Sequence, residues 1–571
     1  MGHTLQNFQL AAPAFYGLNT EDSPINQQPQ FCQVADNAVI DSYGRIGARR
    51  AFTNDTDVWP TLSGRATIDG TGTVVSSTGI LDHIQVGDIN GTKHILCLAR
   101  EEGYNAAGVF VTADYYILKR NGNTLTELTL PAVADKSTFP TGQIVAFNNK
   151  MYILSEGNEI IVYDGTALSN ISSEAGYYPI HAISDYRPGA TPTVTEQAPT
   201  PTVGLAAFGR LWVTGHEGDF QRVWYSDLNI AQSWYDDAGT DSLSTAGYID
   251  VSQYWPAGGD NIVGLAAHNN FLIMFGRQSV LVWGNPSGDP AAADGIFLSD
   301  TIRNIGCVSR DAVLNIGTDV LFLDDTGVRS LGRALTQENA PISDLTRNIR
   351  RNLTSLIAST VNNSTIKAVY VPDLNFCLFY FPENAEGFCL DMKSYMSEGI
   401  VKVTRWTNIV FNHACYVEDA SSVDLYFASN NENGVLKYSG FSEYDKQPYE
   451  FKYRSNPLWF DTPSRKKFPK VLKFTSITQN NTGTGVARWG FDARVPTYSK
   501  HFTIEAQQPA FFNVSEFSED EYADGPEKIA INRVNTAGSG ETVVLGLDMN
   551  INGNSFSLQE INLQSLIGRL R

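Results

Sequence analysis

Apolar and polar positions along the middle of the chain repeat as a phrase. Val203 to Val213 reads Val-Gly-Leu-Ala-Ala-Phe-Gly-Arg-Leu-Trp-Val, and Val263 to Ile273 reads Val-Gly-Leu-Ala-Ala-His-Asn-Asn-Phe-Leu-Ile. Each copy predicts an apolar strand, a tight turn at Gly209-Arg210 or Asn269-Asn270, and a second apolar strand. A third apolar segment follows, ending at Val223-Trp224-Tyr225 or Val280-Leu281-Val282-Trp283. A looser copy runs from Val145 to Leu154, with Ile160 to Tyr163 as its third strand. Matching Ala146 to Ala207 to Ala267 gives steps of 61 and 60 residues. A repeat of this length built from short antiparallel strands is the signature of propeller blades.

The pattern extends to both sides. Upstream, Ile80 to Ile84, Lys93 to Leu98 and Asp114 to Leu118 read as strands, with Asn90-Gly91 and Asn121-Gly122 as two-residue hairpin turns that tolerate positive φ. Downstream, Ala312 to Leu323 with Gly327 to Leu331 is a weaker copy. Two more follow, at Ile366 to Asp391 and at Asn408 to Tyr438. The count is about seven units, or six if the first only closes the ring. One segment breaks the strand pattern: Ile342, Leu345, Ile349, Leu353 and Leu356/Ile357 have helical spacing, with Ser343 or Asp344 placed to cap it. Its polar side carries Arg347, Arg350 and Arg351, either a solvated face or a contact to a partner subunit or DNA.

Residues 1–60 read as an extended arm, with a strand at Phe31 to Ile40 and a turn and basic strand at Gly44 to Arg50. Such an arm would pack on a neighbour or close the ring. Residues 61–445 form the propeller. From Lys446 the 60-residue phrase stops. Val471 to Ile477, Val486 to Phe491, Thr542 to Leu547 and Phe556 to Leu563 make a β-sandwich-sized set over 446–571. The expected fold is all-β: a propeller of six to seven blades, an N-terminal arm and a C-terminal β-sandwich-like domain.

The 571 residues are 42% hydrophobic and 11% aromatic, enough for a large core, and carry a net charge of −20. The charge is uneven. Residues 446–571 hold 15 basic and 13 acidic residues, near +2, which leaves 26 basic against 48 acidic in 1–445. So acidic a surface argues against tight wrapping of DNA, whose affinity comes from Lys and Arg on phosphates. It suits a surface along which DNA slides, or ordinary solubility. Six scattered cysteines with no CxxC pair point to buried free thiols and a reducing site of synthesis. The start of the chain shows no signal peptide, and no apolar run is long enough to span a bilayer.

Catalytic motifs are missing: there is no phosphate-cradling Gly loop, no HExxH and no GxSxG. No catalytic residue, cofactor or metal is expected. His83, His94 and His268 read as ordinary surface or turn histidines. Asp236-Asp237 with Asp241, and Asp324-Asp325, lie in loops. Neither spacing matches a calcium loop, and a glycosidase needs two carboxylates across a cleft. The basic run Arg465, Lys466, Lys467 to Lys470 reads as a strand entry or as a docking contact to an acidic neighbour. The run Glu516 to Asp524 is a candidate partner for it.

Several phrases together resemble a known family. They are Gly17-Leu18-Asn19-Thr20 with Ser23-Pro24, Ala35 to Ile40, Gly44 to Arg49, Leu205 to Trp212, Trp224 to Asp227, Ile305 to Ser309 and Leu321 to Val328. Over residues 15–440 the pattern is similar to that of tail nozzle proteins of short-tailed bacteriophages, which include the packaged-DNA stabilisation and tail tubular B proteins. The resemblance implies a non-enzymatic structural protein of the virion tail, assembled in the host cytoplasm. Six copies would form a ring below the portal and its adaptor, enclosing the genome-exit channel. Its partners would be the adaptor, tail fibres or spikes, double-stranded DNA passing without sequence-specific binding, and the host outer surface. Two other readings stay open: a receptor- or glycan-binding tail protein, and a propeller enzyme acting on polysaccharide.

Overall fold

The computed structural model describes residues 5–41, 44–55, 76–104, 110–184, 193–234, 245–256, 258–286, 295–336, 344–393, 399–418, 423–430, 434–460, 465–478, 483–504 and 528–568. Seven antiparallel sheets follow one another along the chain as the blades of a propeller. Blades 1 to 4 span 76–127, 143–170, 203–250 and 262–303, each with four strands. Blade 5, 313–330, has three strands, and blade 6 spans 367–407. Blade 7 takes three strands from 411–438. Its fourth is Phe52–Asn54, from the other end of the chain, paired antiparallel to Val435–Tyr438. The first strand of each blade contacts the first strand of the next, and that of blade 7 returns to that of blade 1. The fold is therefore an all-β propeller of seven blades closed by the N-terminal arm.

Local chemistry explains the hairpins. Asn148-Asn149 and Asn269-Asn270 both take positive φ, the left-handed turn that suits the twist of paired strands and that Asn tolerates. In the third copy the turn is Phe208-Gly209, at φ 54° and 71°, so Arg210 opens the next strand and the turn lies one residue earlier than Gly209-Arg210. The middle strands of several blades are buried along their whole length because both faces of a blade are covered by neighbouring blades. Ser279–Gly284 and Phe376–Phe381 are buried at every position.

The helical spacing after 342 yields a 3-10 turn, Arg347–Ile349, and a helix, Arg350–Ser359, that buries Leu353 and Ile357. Asp344 does not cap that helix. It accepts the Thr346 N–H and the Arg350 guanidinium. Ser343 lies outside the described residues. A short helix at Leu331–Thr336 was not expected; Leu331 opens it and does not extend the third strand of blade 5.

The arm does not stand apart. Phe31–Asp36 bridges the outer strand of blade 6, Lys402–Thr407, to Tyr449–Ser455, and so joins blade 6 to one sheet of the C-terminal domain. The Asp36 carboxylate takes both ends of the Arg405 guanidinium at 2.7 and 2.9 Å. Asn37, at φ 52°, turns the chain, and Ala38–Ile40 and Ile46–Ala48 enter the facing sheet beside Phe556–Ile567. The single strand expected over Phe31 to Ile40 is thus two strands in two sheets. The sandwich core between these sheets includes Phe451, Tyr453, Leu545 and Leu547 with Leu472, Phe474, Leu558 and Ile561.

Arg49 fixes the junction. It is 1% exposed. Its guanidinium reaches Glu443 at 2.6 Å and the Asn37 side-chain oxygen at 3.1 Å, and it lies over the Phe52 and Tyr449 rings. The other Glu443 oxygen accepts the Phe52 N–H at 2.9 Å. Phe52 itself is fully buried against Trp406, Phe411, Phe427 and Tyr438. All six cysteines are buried and unpaired, and burial pushes the Cys307 and Cys415 thiols up to about 12. No helix among the described residues is long and apolar enough to cross a membrane.

Truncating Phe52 removes the ring that anchors the closing strand. Phe52→Ala is expected to cost about 3–5 kcal/mol, read as a lowered urea midpoint in equilibrium unfolding.

Candidate functional site

A cluster of buried charged and histidine side chains lies where several inner strands of the propeller begin. Two of those strands carry a β-bulge at that level. In blade 1 the register shifts between Leu81 and His83, and in blade 7 between Phe411 and His413. A bulge re-aims the side chains beside it. The extra residues, Asp82 and Asn412, meet: the Asn412 amide donates to the Leu81 carbonyl at 3.0 Å and lies 3.4 Å from the Asp82 carboxylate. The next residues, His83 and His413, pack ring against ring, with centroids 3.8 Å apart and planes tilted by 34°. The burial of His83 overturns its expectation as an ordinary surface or turn histidine.

Blades 5 and 6 supply the charges. The turn Arg310–Ala312 leads into the inner strand of blade 5. Its Arg310 reaches across the axis and donates to the carbonyls of Thr141 and Gly142, just before blade 2, and of Thr202, just before blade 3. Asp311 lies 3.3 Å from Arg310 Nε through one oxygen and 3.2 Å from Lys367 Nζ through the other. Lys367 opens the inner strand of blade 6 and is buried. Side chains of four blades, and carbonyls at the entries of two more, thus meet at this end of the propeller.

Burial and pairing set the ionisation. Burial alone would raise the Asp311 carboxyl, but Arg310 and Lys367 outweigh it and hold the group well below the usual carboxylate range. Burial pulls the Lys367 ammonium down, opposed by Asp311. Burial lowers His413 to about 3 and takes His83 well below its ordinary value, with neighbouring Lys367 adding to both. Asp82 goes the other way. Burial pushes it up to about 6, only partly offset by Arg100 and Lys367. Beside the cluster is a cavity of about 360 Å³ lined by Asp82, Arg100, Thr141, Lys367, Glu383 and Asn412.

A larger cleft of about 610 Å³ lies where the arm, the propeller and the C-terminal domain meet. Its principal charges are paired: Arg49 with Glu443, and Asp548 with Arg454 and Arg488.

The sequence-level candidates are elsewhere. Arg347 and Arg351 are exposed on the turn and helix after blade 5, while Arg350 is committed to Asp344. Arg465 and Lys466 are exposed, whereas Lys467 is fully buried and donates to the Glu541 carbonyl, so its ammonium serves its own domain and not a neighbour. Asp324 pairs with Arg329, and Asp325 with Arg277. Asp236, Asp237, Asp241 and the Glu516 to Asp524 run lie outside the described residues. The axial residues were passed over because no local motif joins them. The available signal is a polar pair, Asp82-His83 and Asn412-His413, interrupting two otherwise apolar strands.

No protein-family model and no curated protein matches the chain. Solved structures that share parts of its fold include YCF48 bound to D1 peptide, with 8% identity and TM-score 0.32 over 65% of this chain and 96% of that one. The Neurospora crassa Pan2 WD40 domain has 8% identity and TM-score 0.32 over 68% and 95%. A Bacillus subtilis glycoside hydrolase family 43 arabinoxylan arabinofuranohydrolase has 9% identity and TM-score 0.24 over 85% and 95%. The propeller assignment itself rests on the closed ring of seven sheets.

The buried histidines make stability depend on pH. The unfolded chain takes up protons near 6.5, which the folded rings refuse until pH falls to about 3 for His413. Their contribution is therefore complete above 6.5 and is lost as pH falls toward 3. Asp82 acts oppositely, losing stability as pH rises from 3.8 to about 6. Comparing urea midpoints of the wild type with His413→Gln cancels the Asp82 part. The wild type is expected to lose more stability than the variant between pH 6.5 and 4.

Proposed function

We propose that this chain is a structural protein of a virion, a tail nozzle subunit of a short-tailed bacteriophage, and that its role is shape and charge rather than catalysis. The observation that carries this reading is the arm. The phrases that resemble the nozzle family, Gly17 to Thr20, Ala35 to Ile40 and Gly44 to Arg49, supply the short strands that tie propeller and C-terminal domain into one body. A scaffold knitted in this way suits a part that must hold its form under load.

Two further features support the reading. Arg310, Asp311, Lys367, His83 and His413 meet across the propeller's own axis, so a conduit for DNA would lie between copies. The acid excess in 1–445 would then line or flank that conduit and keep phosphates from adhering. Exposed Arg351, Arg465 and Lys466 offer basic contacts to an acidic neighbouring copy or to the adaptor.

A second reading, a propeller enzyme acting on polysaccharide, draws on one observation. Asp82, which lines the smaller cavity, is pushed up to about 6, while Asp311, paired with the cavity-lining Lys367, is held low, and glycoside hydrolysis uses such a separation of acid and base. Against it, both oxygens of Asp311 are engaged by Arg310 and Lys367.

Electron microscopy of virions labelled with an antibody to this chain separates the readings. The nozzle reading expects label on the tail axis and six-fold density there. Label on peripheral spikes, or none on the particle, overturns it. Reversing Arg351, Arg465 and Lys466 to Glu is expected to reduce ring assembly while changing stability by no more than about 0.5 kcal/mol per substitution, since exposed side chains contribute little to folding.

A further inference from the structure

We propose that His83, His413 and Asp311 form a binding site for one divalent transition-metal ion of the zinc class, held on the propeller axis. The inference is independent of the virion reading. One ligand atom from each of the three side chains lies within 4.8 Å of the other two. Two imidazoles and a carboxylate, with a fourth position left for water or an anion, are the donors of open zinc centres.

The second observation concerns partners. His83 is 2% and His413 8% exposed, and the Nδ1 atom of each is buried with no hydrogen-bond partner. Buried polar atoms are almost always satisfied, and two such atoms on adjacent rings near the Asp311 carboxylate point to one missing partner.

The geometry needs only a small closure. Metal–nitrogen distances of about 2.0–2.1 Å in a tetrahedron place ligand atoms about 3.4 Å apart, so the atoms must draw in by rotation of the side chains. The bulges at Asp82 and Asn412 leave both strands locally free of regular pairing at this point. Two cations compete for the carboxylate: the Lys367 ammonium sits 3.2 Å from one Asp311 oxygen and Arg310 Nε 3.3 Å from the other, and a metal would take the place of Lys367. The adjoining cavity, which Lys367 also lines, gives the ammonium somewhere to move. A bound ion would tie blade 1, blade 7 and the turn before blade 5 across the seam that the arm closes.

The test uses the full-length chain, stripped with chelator and titrated with Zn²⁺ by calorimetry and with Co²⁺ by visible absorption. One equivalent is expected, with the d–d bands of a tetrahedral nitrogen and oxygen site and a rise in unfolding temperature on binding. His83→Ala and His413→Ala should abolish stoichiometric binding. Lys367→Met should tighten it several-fold, because it removes the competing charge. That variant keeps the test decisive if a histidine variant fails to fold. Failure of the wild type to bind either ion overturns the proposal. So does binding that His413→Ala leaves unchanged, or that Lys367→Met does not strengthen.

Discussion

A propeller is a sheet architecture that must end where it began, and here everything hangs on how that seam is joined. Blade 7 has three strands of its own, and the fourth is Phe52–Asn54, nearly 400 residues earlier in the chain. Three residues make few hydrogen bonds. The seam holds because Phe52 fills an aromatic pocket and because Glu443 binds both its N–H and the Arg49 guanidinium. Arg49 is a buried cation, tolerable only with its charge paired and its donors satisfied. Its partners come from the arm, the end of blade 7 and the C-terminal sheet. The same few side chains therefore close the ring and seat the sandwich upon it.

Ring closure also explains the axial cluster. Residues as distant as His83, Asp311 and His413 meet only because seven inner strands stand side by side around one axis. Arg310 uses that proximity to satisfy carbonyls of blades 2 and 3, and its neighbour Asp311 binds Lys367 of blade 6. The cluster is a set of cross-ring ties.

The blades were legible in the sequence because their information is local. Alternating apolar runs and Asn or Gly at positive φ specify a hairpin within a dozen residues, as at Asn269-Asn270 and Asn90-Gly91. The turn at Phe208-Gly209 was misplaced by one residue because Phe is a rare occupant of the left-handed region. Leu353 and Ile357 disclosed their helix by spacing, but Asp344 at its approach is spent on Arg350. The arm was opaque in another way. Gly17–Leu18 and Ile46–Ala48 are too short to show a period, and their partners are hundreds of residues away. The axial site left the faintest trace: two polar pairs in apolar strands, whose meaning depends on a bulge and on a ring that only the tertiary structure supplies.

The most direct measurement is hydrogen exchange of the intact protein, followed peptide by peptide. If the arm closes the propeller and seats the C-terminal domain, amides of Phe31–Asp36 and Phe52–Asn54 will exchange as slowly as those of Phe411–Glu418. Arm amides that exchange at the rate of a free peptide, while the blade strands stay protected, would contradict the account.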